Sequence, residues 1–395
     1  MSEIETDLNL SNKIPVGWTL EIISKAFIIC NNLRFPISEE VRKTILGEYP
    51  YYGPTKIQDY INEFRVNGKY ALIGEDGDHF LKWRELPMTQ LIEGKFNVNN
   101  HVHLIKGEKN LTEWFYFYFN HKELTPYLTR QGAGRYKLTK DSLSKIPCLI
   151  PPINEQRKIV DVLSCIEKTI NITTKLISKK EKNRKWLMQQ LLTGKKRLKG
   201  FENDSWSYLS FSDIYSKIKI KAGTERLIIL SVTKNGIVLQ NEYFNKEIAS
   251  EDTSNYLVMK KGDMVLSGLN FWMGSIDTLT EFEKGMVSPA YKVYEIINDG
   301  ISESYMKFFV RSRIMLQALV GSSVVGASVV RRNMDTETLH EWPFYLPHIK
   351  EQNAIANILT SVDKEIKLLK EKVEKLKEQK KGLMQVLLTG KKRLK

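Results

Sequence analysis

Residues 152–199 read PINEQRKIVDVLSCIEKTINITTKLISKKEKNRKWLMQQLLTGKKRLK, and residues 348–395 read HIKEQNAIANILTSVDKEIKLLKEKVEKLKEQKKGLMQVLLTGKKRLK. The two stretches align without a gap, and 21 of their 48 positions are identical, including Glu155 with Glu351, Gln156 with Gln352 and the ending LLTGKKRLK. An internal repeat of this quality organises everything around it. Upstream the echoes are weaker: Trp18 and Trp206 stand near the starts of the two halves, and Gly132-Ala133 and Gly326-Ala327 precede Pro147 and Pro343 at similar distances. The chain is therefore a tandem: a unique segment 1–150, a repeat 151–199, a unique segment 200–346 and a repeat 347–395.

Each repeat predicts one long helix. In the second copy Ile355, Leu359, Val362, Ile366, Leu369, Val373, Leu376, Leu383 and Leu387, with Lys380 in the same register, recur by alternating steps of four and three. That period marks a coiled-coil seam. The first copy offers Ile159, Leu163, Ile166, Ile170, Ile177, Leu187 and Leu191, with the more polar Thr173, Lys180 and Arg184 between them. Pro151-Pro152 and Pro347 stand where a helix start tolerates a missing N–H, and Gly194 and Gly390 mark stops. A helix from Glu155 to Leu192 would be roughly 57 Å long at 1.5 Å per residue. Two such helices in one chain can pair antiparallel; pairing with other molecules, or packing of each helix on its own domain, are the alternatives.

The chain has 395 residues, 60 Lys and Arg against 46 Asp and Glu, and a net charge of +14. The excess is localised. Residues 151–199 carry +9 and 347–395 carry +7, whereas 1–150 carry +1 and 200–346 carry −3. Basic globular domains thus give no argument for nucleic-acid binding; the charge belongs to the helices, where it can face phosphates, acidic partners or water. The acidic, polar Met1–Leu10 lacks the pattern of a signal peptide, and no apolar run approaches the ~18 residues of a membrane span. Cys30, Cys148 and Cys165, three and widely spaced, fit reduced thiols and a cytoplasmic location better than disulfides or zinc.

The unique segments read as mixed α and β, so the fold class is α+β. Tyr70–Ile73, Leu227–Val232, Ile237–Leu239, Met264–Leu266 and Tyr291–Ile297 are short apolar or β-branched runs bounded by turn residues, as strands are. Trp114–Phe119 and Tyr305–Val310 are each expected to lead into a helix.

Several chemistries lack their residues. There is no Asp/Asn-Pro-Pro-aromatic element for clamping a flipped base, and Pro151-Pro152 lies between Ile150 and Ile153 instead. No phosphate-cradling Gly-x4-Gly-Lys-Ser/Thr run occurs, and Gly132-Ala133-Gly134 lacks a third glycine. The turn Glu75-Asp76-Gly77-Asp78 could hold a metal but reads as an exposed turn, and the alternating His101 and His103 have no third and fourth ligand nearby and read as structural. Glu365-Ile366-Lys367 resembles the tail of a nuclease motif, but Ile366 belongs to the helix seam. No catalytic residue and no metal site are assigned.

A proline and small apolar residues entering Glu-Gln, a seam helix, then Leu-Met-Gln and Leu-Leu-Thr-Gly-Lys-Lys-Arg-Leu-Lys, twice over, resembles the repeated region of type I restriction-modification specificity subunits. Ile14-Pro15-Val16-Gly17-Trp18 resembles the entry to their first target-recognition domain. The resemblance implies two mixed α/β target-recognition domains separated by an antiparallel pair of long coiled-coil helices, with pseudo-twofold symmetry. It also implies a non-catalytic subunit that reads double-stranded DNA, one half-site per domain. Two methyltransferase subunits would supply S-adenosylmethionine chemistry, and restriction/translocase subunits would supply ATP- and Mg-dependent chemistry, leaving this chain without a cofactor. Because 1–150 and 200–346 differ strongly, the two half-sites should differ and the site should be asymmetric. The helix pair would set two major-groove readers about one turn, roughly 34 Å, apart. A coiled-coil scaffold without sequence-specific DNA binding is the alternative.

Candidate DNA contacts follow from residue chemistry, with base edges read by Arg, Lys, Asn and Gln and phosphates held by Lys and Arg. In the first domain they are Lys56, Arg65, Lys69 and Tyr70, and the group Arg130, Arg135, Tyr136 and Lys137. In the second they are Lys217, Lys219, Lys221 and Lys234, the pair Asn270 and Trp272, and Arg331, Arg332 and Asn333. Lys195-Lys196-Arg197 and Lys391-Lys392-Arg393 are candidates for non-specific contacts near the helix ends.

Overall fold

The computed structural model describes residues 14–131, 135–244, 252–328 and 331–394. The stretch Met1–Leu10 and the Gly132-Ala133-Gly134 segment lie outside the described residues, and of Arg135, Gly326, Ala327 and Arg331 only the backbone is described. The chain forms two compact units: unit 1 comprises Met1–Thr174 with Glu371–Lys395, and unit 2 comprises Lys175–Lys370.

Unit 1 is built on a six-stranded sheet in the order Ile28–Ile29, Val102–Lys106, Val66–Gly74, Thr89–Val98, Leu46–Tyr52, Ile57–Ile61. Neighbours run antiparallel except Leu46–Tyr52 beside Thr89–Val98. The central strand is covered on both faces, because Ala71 and Ile73 enter one apolar cluster and Tyr70 and Leu72 another. Trp114–Phe119, expected to precede a helix, is itself helical: the helix spans Thr112–Phe119. Its aromatic residues carry strand propensity, yet all six are buried. A helix apolar on every side is stable when the core surrounds it, and burial here outweighs the weak local preference.

Unit 2 carries two four-stranded sheets. One has the order Tyr215–Ile218, Tyr291–Ile296, Met264–Ser267, Ile276–Thr278; the other has Gly236–Leu239, Ile229–Thr233, Lys284–Val287, Leu257–Lys260. Tyr305–Val310 departs from expectation in the same way, since the helix is Glu303–Phe309 itself, started by Ser302, whose side chain accepts the Tyr305 N–H. The expected strands all appear, with ends moved by a few residues.

Both units close with the same device. Thr19–Ile22 pairs antiparallel with Pro147–Ile150, and Ser207–Ser210 with Pro343–Leu346. Each closure brings the beginning and end of its unique segment together just before a long helix, Ile153–Leu191 or Ile349–Leu387. Both helices are 39 residues, about 58 Å of rise.

Within unit 1 the early turns of the first helix run antiparallel to the late turns of the second, because Glu167 meets Lys380 while Glu155 meets Arg393. Within unit 2, Glu181 meets Lys370, Arg184 meets Asp363 and Arg197 meets Glu351, again antiparallel. The seam residues lie where their period put them. Ile159, Leu163, Ile177, Leu191, Ile355, Leu359, Ile366, Val373 and Leu387 are buried, and Ile166, Ile170, Leu187, Val362, Leu369, Leu376 and Leu383 are half-buried. The same helices extend the domain cores: Ile159, Leu163, Met384 and Leu387 join the principal cluster of unit 1, and Leu191, Ile355 and Leu359 that of unit 2. Seam packing and domain packing are thus both present.

Candidate functional site

The repeated residues build one anchor in each unit. In unit 1 the Glu155 carboxylate is almost wholly buried and accepts Arg393 Nε at 2.7 Å on one oxygen and Arg393 Nη2 at 2.7 Å on the other. The Trp18 indole N–H donates to the same carboxylate at 3.0 Å, and the Arg393 guanidinium lies 5.5 Å from the Trp18 ring centre. In unit 2 Glu351 accepts Arg197 Nε and Nη2, both at 2.8 Å, and the Trp206 indole at 3.2 Å. Arg197 lies 5.6 Å from the Trp206 ring centre. Planar fork-to-fork geometry makes these charge-assisted pairs strong and directional. The hydrogen bond from Arg393, more than any other cause, holds the Glu155 carboxyl below the usual carboxylate range.

The glutamines next in sequence hold the domains. Gln156 Oε1 accepts the Leu111 N–H at 3.0 Å, while its Nε2 donates to Pro151 O at 2.9 Å and to Asn110 Oδ1 at 2.8 Å. Gln352 Oε1 accepts the Ser302 N–H at 2.9 Å, and its Nε2 donates to Pro347 O at 2.8 Å and Gly300 O at 3.1 Å. Leu111 and Ser302 are the residues at which the two buried domain helices begin. Each repeat therefore caps the buried helix of its own unique segment.

The glycines of the Leu-Leu-Thr-Gly run turn the chain so that arginine can return. Gly194 and Gly390 have φ of +69° and +66°, and Lys196 N–H and Lys392 N–H reach back to Gln190 O and Val386 O. That left-handed exit is the common helix stop that favours glycine. A Cβ at Gly390 would sit 2.3 Å from Pro15 Cγ. Arg197 and Arg393, expected as non-specific DNA contacts, are instead engaged by buried glutamates; Lys195, Lys196, Lys391 and Lys392 are exposed. The polar seam positions repeat too. Glu167 takes Tyr116 Oη at 2.6 Å and Lys380 Nζ at 2.9 Å in unit 1, and its counterpart Asp363 pairs with Arg184 in unit 2.

The DNA-contact candidates separate into exposed, engaged and buried groups. In unit 1 Lys56 and Arg65 are exposed, and Arg65 also stacks on Phe35 and donates to Arg34 O. Lys69 is paired with Glu113 at 2.8 Å. Tyr70 is removed from the set: its ring is 7% exposed, edge-on to Phe96 in the core. Arg130 and Tyr136 face each other on the hairpin Thr129–Gln131 and Arg135–Lys137, with Nη2 donating to the phenol at 2.9 Å. Lys137 pairs with Glu75 at 3.3 Å. The Arg135 side chain lies outside the described residues.

In unit 2 Lys217, Lys219, Lys221, Lys234, Asn270 and Asn333 are exposed, and Lys221 donates to Asn255 Oδ1. Trp272 and Arg332 come together, with the guanidinium 4.5 Å from the indole centre. Arg332 and Asn333 sit on the hairpin Ser323–Ser328 and Arg331–Met334, which precedes its domain's closing strand as the Arg130 hairpin does in unit 1. The Arg331 side chain lies outside the described residues. The sequence carries no signal for Lys292, which lies in a run that reads only as a strand, or for the cluster in which Lys95 lies over the rings of Tyr49 and Phe64 in unit 1.

His103 is buried, with Nε2 against Leu138 O at 2.7 Å and Nδ1 against Asn31 and Arg34 at 2.9 Å. Burial, above all, pushes its pKa down to about 4, so it is a neutral core histidine. His101 pairs with Asp76, and Glu75 with Arg34, which gives the acidic turn a structural role. Cys30, Cys148 and Cys165 are free thiols. No described helix is long and apolar enough to cross a membrane.

Comparison with known proteins agrees with this geometry. Residues 27–182 and 231–378 match the family model described as the type I restriction modification DNA specificity domain. The type I restriction enzyme MjaVIII specificity subunit of Methanocaldococcus jannaschii is 24% identical over 90% of this chain and 88% of its own length. A Haemophilus influenzae protein named as a type I restriction enzyme specificity subunit is 40% identical over a shorter stretch, 35% of this chain and 34% of that protein. The crystal structure of the S subunit from M. genitalium shares the fold, with a TM-score of 0.62 at 12% identity over 95% of this chain and 96% of that one. Two matching segments, each joined to a copy of the same Glu-Gln helix, place the chain in the family of type I restriction-modification specificity subunits.

Proposed function

We propose that the chain reads an asymmetric, bipartite double-stranded DNA site, one half through each unique segment, and positions methyltransferase and restriction subunits over it. The observation that carries this reading is the duplicated anchor: Glu155 with Arg393 and Glu351 with Arg197 hold two unlike domains by identical chemistry. Duplication of the holder with divergence of what is held is what a two-part reader requires. The separation of the half-sites would be set by the helices. S-adenosylmethionine, ATP and Mg would act on the partner subunits, and this chain would contribute recognition alone.

The test is methylation mapping in cells carrying the chain with its neighbouring methyltransferase. One motif with two different halves and a fixed spacer is expected. A palindromic motif, or methylation unaffected by deletion of this chain, would contradict the reading. A complex that assembles normally but binds duplex DNA at no salt concentration would support a protein scaffold instead.

A further inference from the structure

Unit 2 contains a cationic cluster that no described carboxylate neutralises. Lys217 lies directly opposite Tyr294 in the antiparallel ladder, and Lys292 precedes Tyr294 by two residues. Directly opposed residues and residues two apart share a sheet face, so both lysines leave the face that carries Met264, Leu266 and Tyr294. Lys292 Nζ lies 3.2 Å from the Met334 sulfur. Met334 and Arg332 alternate onto one side of the last hairpin strand, and Arg332 stacks on Trp272. Two lysines and one arginine therefore gather beside one rim of the sheet, and none of the three has a carboxylate partner among the described residues.

The polar groups around them are incompletely satisfied. Arg332 Nε, Trp272 Nε1 and Tyr294 Oη are shielded from solvent and have no hydrogen-bond partner among the described residues. Only Arg332 Nη1 is spoken for, by Ser323 Oγ at 3.0 Å. Burial lowers the pKa of Lys292, and the charge of Lys217 lowers it further; Lys217 is lowered by burial and by Lys219. Folding has brought like charges together and partly desolvated Lys292, with no compensating carboxylate among the described residues. Unpaired groups of this kind cost a fold stability, and an anionic ligand that supplied the missing charge would relieve that cost.

We propose that Lys217, Lys292 and Arg332 form a site for a DNA backbone phosphate, which fixes the register of unit 2 on its half-site without reading a base. The proposal rests on the DNA-reading function above and deepens it. Phosphate contacts position a protein, whereas base contacts specify sequence. Two cations on a sheet face and a third braced on an indole match a single oxyanion better than the patterned edge of a base.

The experiment uses the full chain in complex with its methyltransferase and compares wild type with Lys292→Met and Lys217→Met. Equilibrium binding to a cognate duplex and to one altered in the second half-site is measured across a salt series. Each variant is expected to weaken binding to both duplexes by a similar factor and to make the log–log salt slope shallower by about 0.9. The methylated motif should stay unchanged. The melting temperature of Lys292→Met should be unchanged or higher, because an uncompensated charge has been removed. Wild-type slope and affinity in both variants, or a motif altered in its second half, would overturn the phosphate assignment while leaving the two-part reading standing. A wild-type complex that fails to bind duplex DNA would overturn the reading itself. A lowered melting temperature with an unchanged slope would make the lysines structural.

Discussion

Unit 1 and unit 2 are held by the same residues and present different ones. Glu155, Arg393 and Trp18 repeat in unit 2 as Glu351, Arg197 and Trp206, and Gln156 repeats as Gln352, yet unit 1 builds one six-stranded sheet where unit 2 builds two four-stranded sheets. The residues next to the helices are constrained by buried charge and by obligatory backbone hydrogen bonds. Residues of the unique segments that touch neither the glutamate nor the glutamine can diverge without cost to the anchor. Each anchor has its own arginine, Arg393 for Glu155 and Arg197 for Glu351, so each can be broken alone.

The substitution Arg393→Ala breaks one anchor alone and carries the largest expected effect. It takes away Arg393 and leaves Glu155 buried and unpaired, a loss of about 3–5 kcal/mol. Hydrogen exchange should show protection lost in the helix Thr112–Phe119 and kept in Glu303–Phe309. Equal loss in both helices would mean that the two anchors are not independent. Next in size, Gln156→Ala strands the Leu111 N–H and Gln352→Ala the Ser302 N–H, for about 1–3 kcal/mol each. Matched values from denaturant titration would sharpen the comparison, and a several-fold mismatch would break it.

The pH dependence has a defined sign. Because the folded-state pKa of Glu155 is depressed, its contribution is complete above the unfolded value of about 4.3 and is lost as pH falls below that, through the folded pKa. Glu155→Gln should therefore flatten the acid limb of the stability curve and leave its shape above pH 6 unchanged, as followed by thermal melts between pH 3 and 7. The smallest effect is expected at the polar seam. Lys380→Met in unit 1 and Arg184→Met in unit 2 remove pairs that solvent still reaches in part, worth about 1 kcal/mol each after screening. Double-mutant cycles with Glu167 and Asp363 measure each pair.

The anchor was legible in the sequence because its parts are short, identical and doubled: Glu-Gln at one end of each helix and Gly-Lys-Lys-Arg at the other. Their role was not legible, since nothing local shows that Arg393 returns to a glutamate more than two hundred residues earlier. The two buried domain helices were misplaced because Trp114–Phe119 owes its helicity to a core that closes around it. Tyr70 read as a surface aromatic among Lys69 and Arg65, but its strand is covered on both faces and has no free side. Lys292 is not legible in the sequence because alternation along a strand marks its apolar residues and not the lysine between them. Its significance comes from Lys217 on a neighbouring strand more than seventy residues away in sequence.

Exchange of residues 200–346 for the corresponding segment of a specificity subunit with another target tests the central claim most directly, with the methylated motif mapped in cells that hold the methyltransferase. The account predicts that one half of the motif changes while the other half and the spacer length stay fixed. A change in both halves, or in neither, would contradict it.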